Sequence, residues 1–206
     1  MPSSVPLAAS ALAGYLCGSV SFAILIARAK GLDLRQVGSG NAGATNAGRA
    51  LGRKFGILIY LLDAVKGALP VAVPLLVGWP LEAAVLGGAA AYAGHVWPLY
   101  FGFRGGKGVA TYSGAMLVLA PWAVLAAGLV FAAVLRLSRT MALASIAFGL
   151  SMPLAVWILE PAESLGPRRA ALAFAAVGGL LFLYTHRSNL ARLRAGRESR
   201  LGGPKS

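Results

Sequence analysis

Residues 5–35 read VPLAASALAGYLCGSVSFAILIARAKGLDLR, an apolar run over 5–27 that Arg28, Lys30 and Arg35 follow at once. A run of about 20 apolar residues is long enough to cross a bilayer as a helix. Basic residues concentrate in cytoplasmic loops, and no Lys or Arg precedes this run as in a signal peptide. The pattern predicts a transmembrane helix with the N-terminus outside and the 28–54 loop in the cytoplasm.

The composition of the whole chain agrees with a membrane protein. Of 206 residues, 58% are hydrophobic and only 12% are charged, and the mean hydropathy is +0.73. A soluble domain carries about 25% charged residues. The net charge of +13 does not indicate nucleic-acid binding, because the basic residues fall in short segments between apolar runs. We therefore predict a single polytopic membrane domain over 1–206.

Further apolar runs predict the other crossings, at 55–78, 81–100, 140–159 and 167–185. Charge then assigns the loops to a side. The loops 101–110, 136–140 and 186–206 are basic and are expected in the cytoplasm. The loop 160–169 is expected outside, and its Arg168 and Arg169 are the exception to the charge rule.

Residues 109–136 are too long for one crossing and too short for two full ones. As one helix they would measure about 42 Å, against a hydrocarbon core of about 30 Å. If the stretch goes in and back, turning near Pro121, then Arg136, Arg139 and the basic tail all fall inside. This predicts two short helices. The expected fold is an all-α, seven-helix transmembrane bundle with its N-terminus periplasmic and its C-terminus cytoplasmic.

Four polar segments share the predicted cytoplasmic face. They are GSGNAGATNAGR (38–49), FGFRGGKGVAT (101–111), Ser145 near the start of its helix, and THRSN (185–189). Glycine lets backbone N–H groups approach an anion, Arg offers a bidentate fork to phosphate, and Lys offers a point charge. The segments hold few carboxylates. They predict a phosphate-binding site that contains Arg49, Lys107, His186, Ser39, Thr45, Asn41, Asn46, Asn189 and the backbone at Gly40 and Gly43.

Other motifs are weaker. GSGNAG fits a dinucleotide fingerprint, but no strand precedes it, and GGKG lacks the spacing of a Walker A loop. Each segment could instead be an ordinary flexible or basic loop, and His186 could simply cap its span. Cys17 and two histidines are a poor set for a metal site. No nucleophilic triad is indicated, and neither histidine begins an H-x-x-x-x-D signature.

Asp63, Lys66 and His95 are ionisable residues within predicted spans. Asp63 and Lys66, in LLDAVKG (61–67), are spaced to pair on one helix. An ion pair is the main interpretation, because an unpaired charge in the membrane is costly, and a role in transport is the alternative. His95, in GHVWP (94–98), could be an acid or base group or could pack against the neighbouring loop.

Taken in order, GSGNAGATNAGR, LLDAVKG, GHVWPLYFGFRGGKGVAT and THRSNLARLRAGRE resemble the bacterial acyl-phosphate:glycerol-3-phosphate acyltransferases of the PlsY type. The resemblance runs from about residue 10 to about 198. It implies a seven-helix inner-membrane enzyme with a cytoplasmic active site. Such an enzyme moves an acyl chain from acyl phosphate to the 1-hydroxyl of glycerol 3-phosphate, giving lysophosphatidic acid and phosphate in the first step of phospholipid synthesis.

The resemblance also implies residue roles. It places the family's functional serine, threonine and arginine on Ser39, Thr45 and Arg49. The other matches are Lys107, Ser145, His186 and Asn189. We expect catalytic roles for Lys107, Thr45, Ser39 and His186, and substrate binding by Arg49, Ser145, Asn189, Asn46, Gly40 and Gly43. No cofactor is expected, and the protein is expected to be a monomer. A small-anion or phosphate-ester transporter is the rival interpretation, and a non-catalytic scaffold is a third.

Overall fold

The regular secondary structure of the described residues is all helical. The computed structural model describes residues 4–160 and 165–202, and at 165–168 the backbone alone; no strand occurs in these ranges. The helices are α1 (Ser4–Gly18), α2 (Phe22–Ala29), α3 (Ala44–Leu51), α4 (Arg53–Leu76), α5 (Leu81–Val96), α6 (Val109–Leu119), α7 (Pro121–Ser138), α8 (Met141–Leu159), α9 (Leu165–Thr185) and α10 (Arg187–Arg194). The predicted all-α class is confirmed. Residues 161–164 of the predicted outer loop and 203–206 of the predicted tail lie outside the described residues.

Several of these helices suit a bilayer. Within the described residues, four stretches are long and apolar enough to cross one: Ser4–Ala29, Arg53–Leu76, Pro121–Ser138 and Met141–Leu159. A fifth is added if Arg169–Thr185 and Arg187–Arg194, which bend by 52°, form one span. These stretches support a multi-pass membrane protein. The count of seven crossings and the orientation of the termini stay predictions.

The stretch over residues 109–136 is divided into two helices at the predicted position. Helix α6 ends at Leu119 and α7 begins at Pro121, the first helical position, where proline is favoured. Helix α6 is short, with 11 residues, as predicted. Helix α7 is not, because it continues to Ser138 and reaches 18 residues. The expectation of two short helices is thus right for α6 and wrong for α7.

The chain divides at this break into two compact units, Met1–Leu119 and Ala120–Ser206. The single membrane domain stays a prediction. In the first unit, small residues bring helices close together. A Cβ at Gly14 of α1 would overlap the Gly87 carbonyl of α5, and one at Gly48 of α3 would lie 3.2 Å from the Gly56 Cα of α4. Close backbone approach through small residues is the usual packing mode of membrane helices.

The first apolar run is not one continuous helix. It breaks between α1 and α2 at residues 19–21, where backbone groups lose their helical partners. Ser21 caps α2 by accepting a hydrogen bond from the Ile24 N–H at 3.4 Å. The Lys66 ammonium donates to the Val20 carbonyl at 2.5 Å. A break in a membrane helix is tolerated when protein groups satisfy the freed backbone in this way.

In the second unit, α8 packs against both α7 and α9, and α9 leads directly into α10. Gly149 of α8 accommodates the Phe182 ring of α9, since a Cβ there would lie 2.7 Å from that ring. Arg139 ends α7 in a left-handed conformation, with φ of 53°. Its carbonyl accepts a hydrogen bond from the Leu201 N–H at 2.7 Å. The C-terminal segment is therefore tied to the turn between α7 and α8.

Candidate active site

The glycine-rich motif is folded around Asn46. This side chain is buried, and its Nδ2 donates to the carbonyls of Leu34 and Val37 at 3.1 and 3.0 Å. Its Oδ1 accepts the Ser39 backbone N–H at 3.0 Å. Both N–H groups of the carboxamide are thus used inside the loop. The prediction that Asn46 contacts substrate is untested, and the geometry favours a role in shaping the loop.

The backbone N–H groups of Gly40 and Gly43, which were predicted to bind substrate, are also used in hydrogen bonds within the loop. The Gly40 N–H donates to the Val37 carbonyl, and the Gly43 N–H donates to the Asn41 carbonyl, both at 3.0 Å. Gly40 has φ of +67°, a left-handed conformation that glycine adopts without strain. These glycines shape the turn that leads into α3. The backbone N–H groups that remain for an anion are those of the first turn of α3, which have no partner within the helix.

Helix α3 presents two of the predicted residues outward. Thr45 and Arg49 are exposed and stand four residues apart, so they share one face of the helix, whereas Asn46 and Ala47 are buried. Ser39, in the preceding turn, is exposed as well. The side chains of Ser39, Thr45 and Arg49 therefore carry the hydroxyl and guanidinium groups of this motif toward the outside of the first unit.

The GGKG segment packs against the end of α5. The N–H groups of Gly105 and Gly106 donate to the carbonyls of Val96 and His95 at 3.1 and 3.2 Å. Gly108 accepts from the Tyr112 N–H at 2.8 Å and so begins α6. Lys107 is half-buried between these fixed points. Its ammonium group thus stands on a segment that two helix ends hold, directly before the first turn of α6.

These two segments meet within the first unit. A Cβ at Gly106 would lie 2.8 Å from the Ala42 carbonyl, so the backbones of the two loops are in contact. The Arg35 guanidinium also donates to the carbonyls of Phe101 and Arg104 at 2.6 and 3.0 Å. The segments that carry Ser39, Thr45, Arg49 and Lys107 are neighbours. One contains the N-terminus of α3, and the other directly precedes that of α6. Such an arrangement is suited to oxyanions.

The predicted intramembrane ion pair is present. Lys66 Nζ lies 2.9 Å from Asp63 Oδ1, and both side chains are buried. His95 is buried too, with Nδ1 at 3.0 Å from the Thr111 hydroxyl and 3.8 Å from Asp63 Oδ1. None of the three faces solvent.

The predicted residues of the second unit lie on three elements. Ser145 is buried in the second turn of α8. His186 is buried at the junction of α9 and α10, and its ring stacks on Phe182 with centroids 5.9 Å apart. Its Nδ1 donates to the Phe182 carbonyl at 2.9 Å. Because a carbonyl only accepts, Nδ1 carries a proton, and in the neutral ring Nε2 holds the lone pair.

Asn189 shows a partner that the sequence analysis missed. Its Nδ2 donates to Glu198 Oε1 at 2.7 Å, and Arg192 Nε donates to Glu198 Oε2 at 2.8 Å. Glu198 therefore holds both residues of α10 with one carboxylate. The signal was available, because the chain has only six acidic residues and this one stands in a strongly basic tail.

Comparison with known proteins identifies the family. A family model described as glycerol-3-phosphate acyltransferase matches residues 8–196. The chain belongs to this family. A glycerol-3-phosphate acyltransferase of Myxococcus xanthus is 46% identical over 195 residues, which is 92% of this chain and 96% of that protein. One from Aquifex aeolicus is 41% identical over 190 residues, covering 90% and 94%.

Solved structures agree with the sequence matches. The crystal structure of PlsY (YgiH), an integral membrane glycerol 3-phosphate acyltransferase, in its glycerol 3-phosphate form superposes with a TM-score of 0.88 at 39% identity, over 95% of this chain and 96% of that one. The lysophosphatidic acid form gives 0.84 at 37% identity, over 94% of each. The resemblance to the PlsY type is confirmed, and the transporter alternative receives no support from these relatives.

Proposed function

We propose that this protein transfers a fatty acyl group from acyl phosphate to the 1-hydroxyl of glycerol 3-phosphate. The products are lysophosphatidic acid and inorganic phosphate. The observation that carries the proposal is the family match over residues 8–196, within which the two glycine-rich segments meet at Ala42 and Gly106. The PlsY structures in glycerol 3-phosphate and lysophosphatidic acid forms support the acceptor and the product.

Two anionic substrates need an excess of cations and N–H donors. We assign the glycerol phosphate to Arg49 together with Ser39, Ser145, His186 and Asn189. We assign the acyl phosphate to Lys107, Thr45 and the backbone N–H groups of the first turn of α3. An arginine fork suits a phosphate bidentately, and donors aimed at the attacked carbonyl stabilise its oxyanion as charge develops there.

The reaction needs no covalent enzyme intermediate, because the acyl carbon is already activated by its phosphate. The glycerol hydroxyl oxygen forms the new ester bond while the bond from the acyl carbon to the phosphate oxygen breaks. The hydroxyl proton ends on the leaving phosphate, taken either directly by a substrate phosphate oxygen or through Nε2 of His186. Holding the glycerol hydroxyl against the acyl carbon supplies much of the rate enhancement.

The setting is also part of the proposal. We place the protein in the bacterial inner membrane as a monomer, with seven crossings, the N-terminus periplasmic, and both glycine-rich segments at the cytoplasmic face. The acyl tail would enter between helices from the lipid. Cysteine labelling from each side of the membrane tests this. In a Cys17→Ala background, single cysteines at 104 and 197 should react only from the cytoplasmic side.

The decisive assay uses purified protein in detergent with acyl phosphate and glycerol 3-phosphate. Phosphate and lysophosphatidic acid should appear in equal amounts, and neither should form when glycerol 3-phosphate is omitted. Lys107→Ala should lose activity by about two orders of magnitude, the scale for loss of an oxyanion donor. The matched control is Arg104→Ala, an exposed cation of the same segment. Acyl transfer from acyl-CoA alone, or no lysophosphatidic acid at all, would refute the proposal.

A further inference from the structure

A cluster of buried polar side chains lies directly behind the GGKG segment. Asp63, Lys66, His95 and Thr111 are each no more than 6% exposed, and they come from three helices, α4, α5 and α6. Ionisable groups at such depth are costly unless they are paired, and they commonly serve function. The proposed substrate roles use none of the four, so the cluster needs its own explanation.

One side of the cluster serves the break between α1 and α2. Lys66 Nζ is bound between Asp63 Oδ1 at 2.9 Å and the Val20 carbonyl at 2.5 Å. This accounts for the lysine as a group that satisfies broken backbone inside the membrane. It does not account for His95, which lies beside the same carboxylate, or for Thr111, whose hydroxyl contacts that histidine.

The other side of the cluster meets the GGKG segment. His95 Nδ1 lies 3.0 Å from the Thr111 hydroxyl and 3.8 Å from Asp63 Oδ1, which fixes one edge of the ring. The opposite atom, Nε2, lies against Gly106, since a Cβ at that position would overlap it. The His95 carbonyl accepts the Gly106 N–H. The histidine thus supports Gly106 with both its ring and its backbone.

We infer that His95, oriented by Thr111 and Asp63, is a positioning residue that fixes residues 105–108 and thereby places Lys107. Gly106 also touches the Ala42 carbonyl, so the same support sets the separation of the two glycine-rich segments. The catalytic consequence rests on the proposed function. The positioning itself does not, because it concerns the segment whether or not a substrate is bound.

Thr111 offers the sharpest test. Thr111→Val keeps the volume of this fully buried side chain but removes the hydroxyl that holds His95. Thr111→Ser keeps the hydroxyl and removes a methyl group. If the side chain matters only for packing, valine should be tolerated and serine should be worse. If it orients His95, the order is reversed. Ser113→Ala is the matched control, because this hydroxyl of α6 contacts the Ala110 carbonyl and the Tyr60 hydroxyl and not His95.

Two measurements follow. In Thr111→Val, hydrogen exchange at the Gly105 and Gly106 amides should rise by about tenfold, as expected when one supporting hydrogen bond is lost. The kcat/KM for acyl phosphate should fall by about the same factor. The KM for glycerol 3-phosphate should stay within about twofold, because Asn46, not His95, shapes the segment that leads to Arg49. Thr111→Ser and Ser113→Ala should match the wild type in both.

The outcomes separate the two proposals. If wild-type protein forms no lysophosphatidic acid, the proposed function fails, and hydrogen exchange still decides the positioning role. Faster exchange in Thr111→Val with unchanged kcat/KM would overturn the link to Lys107. A valine variant like wild type beside a damaged serine variant would overturn the positioning role itself.

Discussion

Asn46 Oδ1 accepts the backbone N–H of Ser39 at 3.0 Å, so a side chain inside α3 sets the shape of the loop that precedes it. The same carboxamide donates to two loop carbonyls. One buried residue thereby fixes the turn that presents the predicted serine. In the glycine-rich motif, amide groups shape the loop while hydroxyl and guanidinium groups face outward.

Asn46→Asp tests this division. The carboxylate can still accept from Ser39, but its oxygens have no hydrogen to offer the carbonyls of Leu34 and Val37. We expect a loss of about 1–3 kcal/mol in the free energy of unfolding, the usual cost of unsatisfied buried groups. The KM for glycerol 3-phosphate should also rise. Thermal unfolding and steady-state kinetics measure both. Asn41→Asp, the same change at a half-buried residue of this motif, is the control for thermal unfolding. An Asn46→Asp variant that melts with the wild type would contradict the assignment.

Activity should depend on the planar shape of the Arg49 side chain as well as on its charge. It is exposed on the same face of α3 as Thr45. Arg49→Ala should reduce acyl transfer by at least about two orders of magnitude, and Arg49→Lys should recover only part, because lysine lacks the planar fork. Arg53→Ala, an exposed arginine at the start of α4, is the control. Near-normal phosphate release by folded Arg49→Ala would remove Arg49 from the site.

Much of the fold followed from apolar run length and charge. The bounds of α4 and α8 lie within two residues of the predicted runs. The turn at Pro121 was predicted because residues 109–136 are too long for one crossing and because turning there places the basic residues inside. The break between α1 and α2 was not predicted. The break is supported by Lys66, which lies 46 residues from Val20 and donates to its carbonyl. The residues around Val20 give no indication of so distant a partner.

The polar segments could be recognised by residue type, but the contacts that their side chains make could not. Hydroxyls, glycines and cations between apolar runs are suited to binding phosphate, and the phosphate site stays a prediction. Asn46 looked like another donor to substrate, because its partners are backbone carbonyls that no side-chain pattern shows. Helix α3 was missed, since the small and polar residues AGATNAG (42–48) are typical of a loop, and the helix packs against α4 only in the folded chain. Glu198 was missed because its partners emerge only when α10 and the tail fold together.

His186 can be a base or a binder, and its tautomer makes the two separable. Nδ1 donates to the Phe182 carbonyl, which directs proton transfer to Nε2. His186→Gln places an amide near the Nε2 position, where it can bind but cannot take a proton. If His186 binds glycerol phosphate, the glutamine variant should regain most of its kcat at saturating glycerol 3-phosphate. A kcat that stays about two orders of magnitude low at saturation would identify the base.

The close approach of α4 and α6 gives a final prediction. A Cβ at Gly67 would overlap the backbone carbonyl of Thr111, and no side-chain rotation can relieve that contact. Gly67→Ala should therefore cost about 1–3 kcal/mol in the free energy of unfolding, as overpacking does. It should also lower kcat/KM for acyl phosphate, because the displaced residue is the one that orients His95.

Gly128 of α7 is the matched control for this change. A Cβ at Gly128 meets nothing within 4 Å, so alanine there should raise the free energy of unfolding by about 0.5–1 kcal/mol through its better helix propensity. Thermal unfolding in detergent compares the two variants directly. If Gly67→Ala proved as stable as Gly128→Ala, α4 and α6 would not be held at this spacing. The support that α6 gives to the GGKG segment would then be weaker than the contacts of Thr111 indicate.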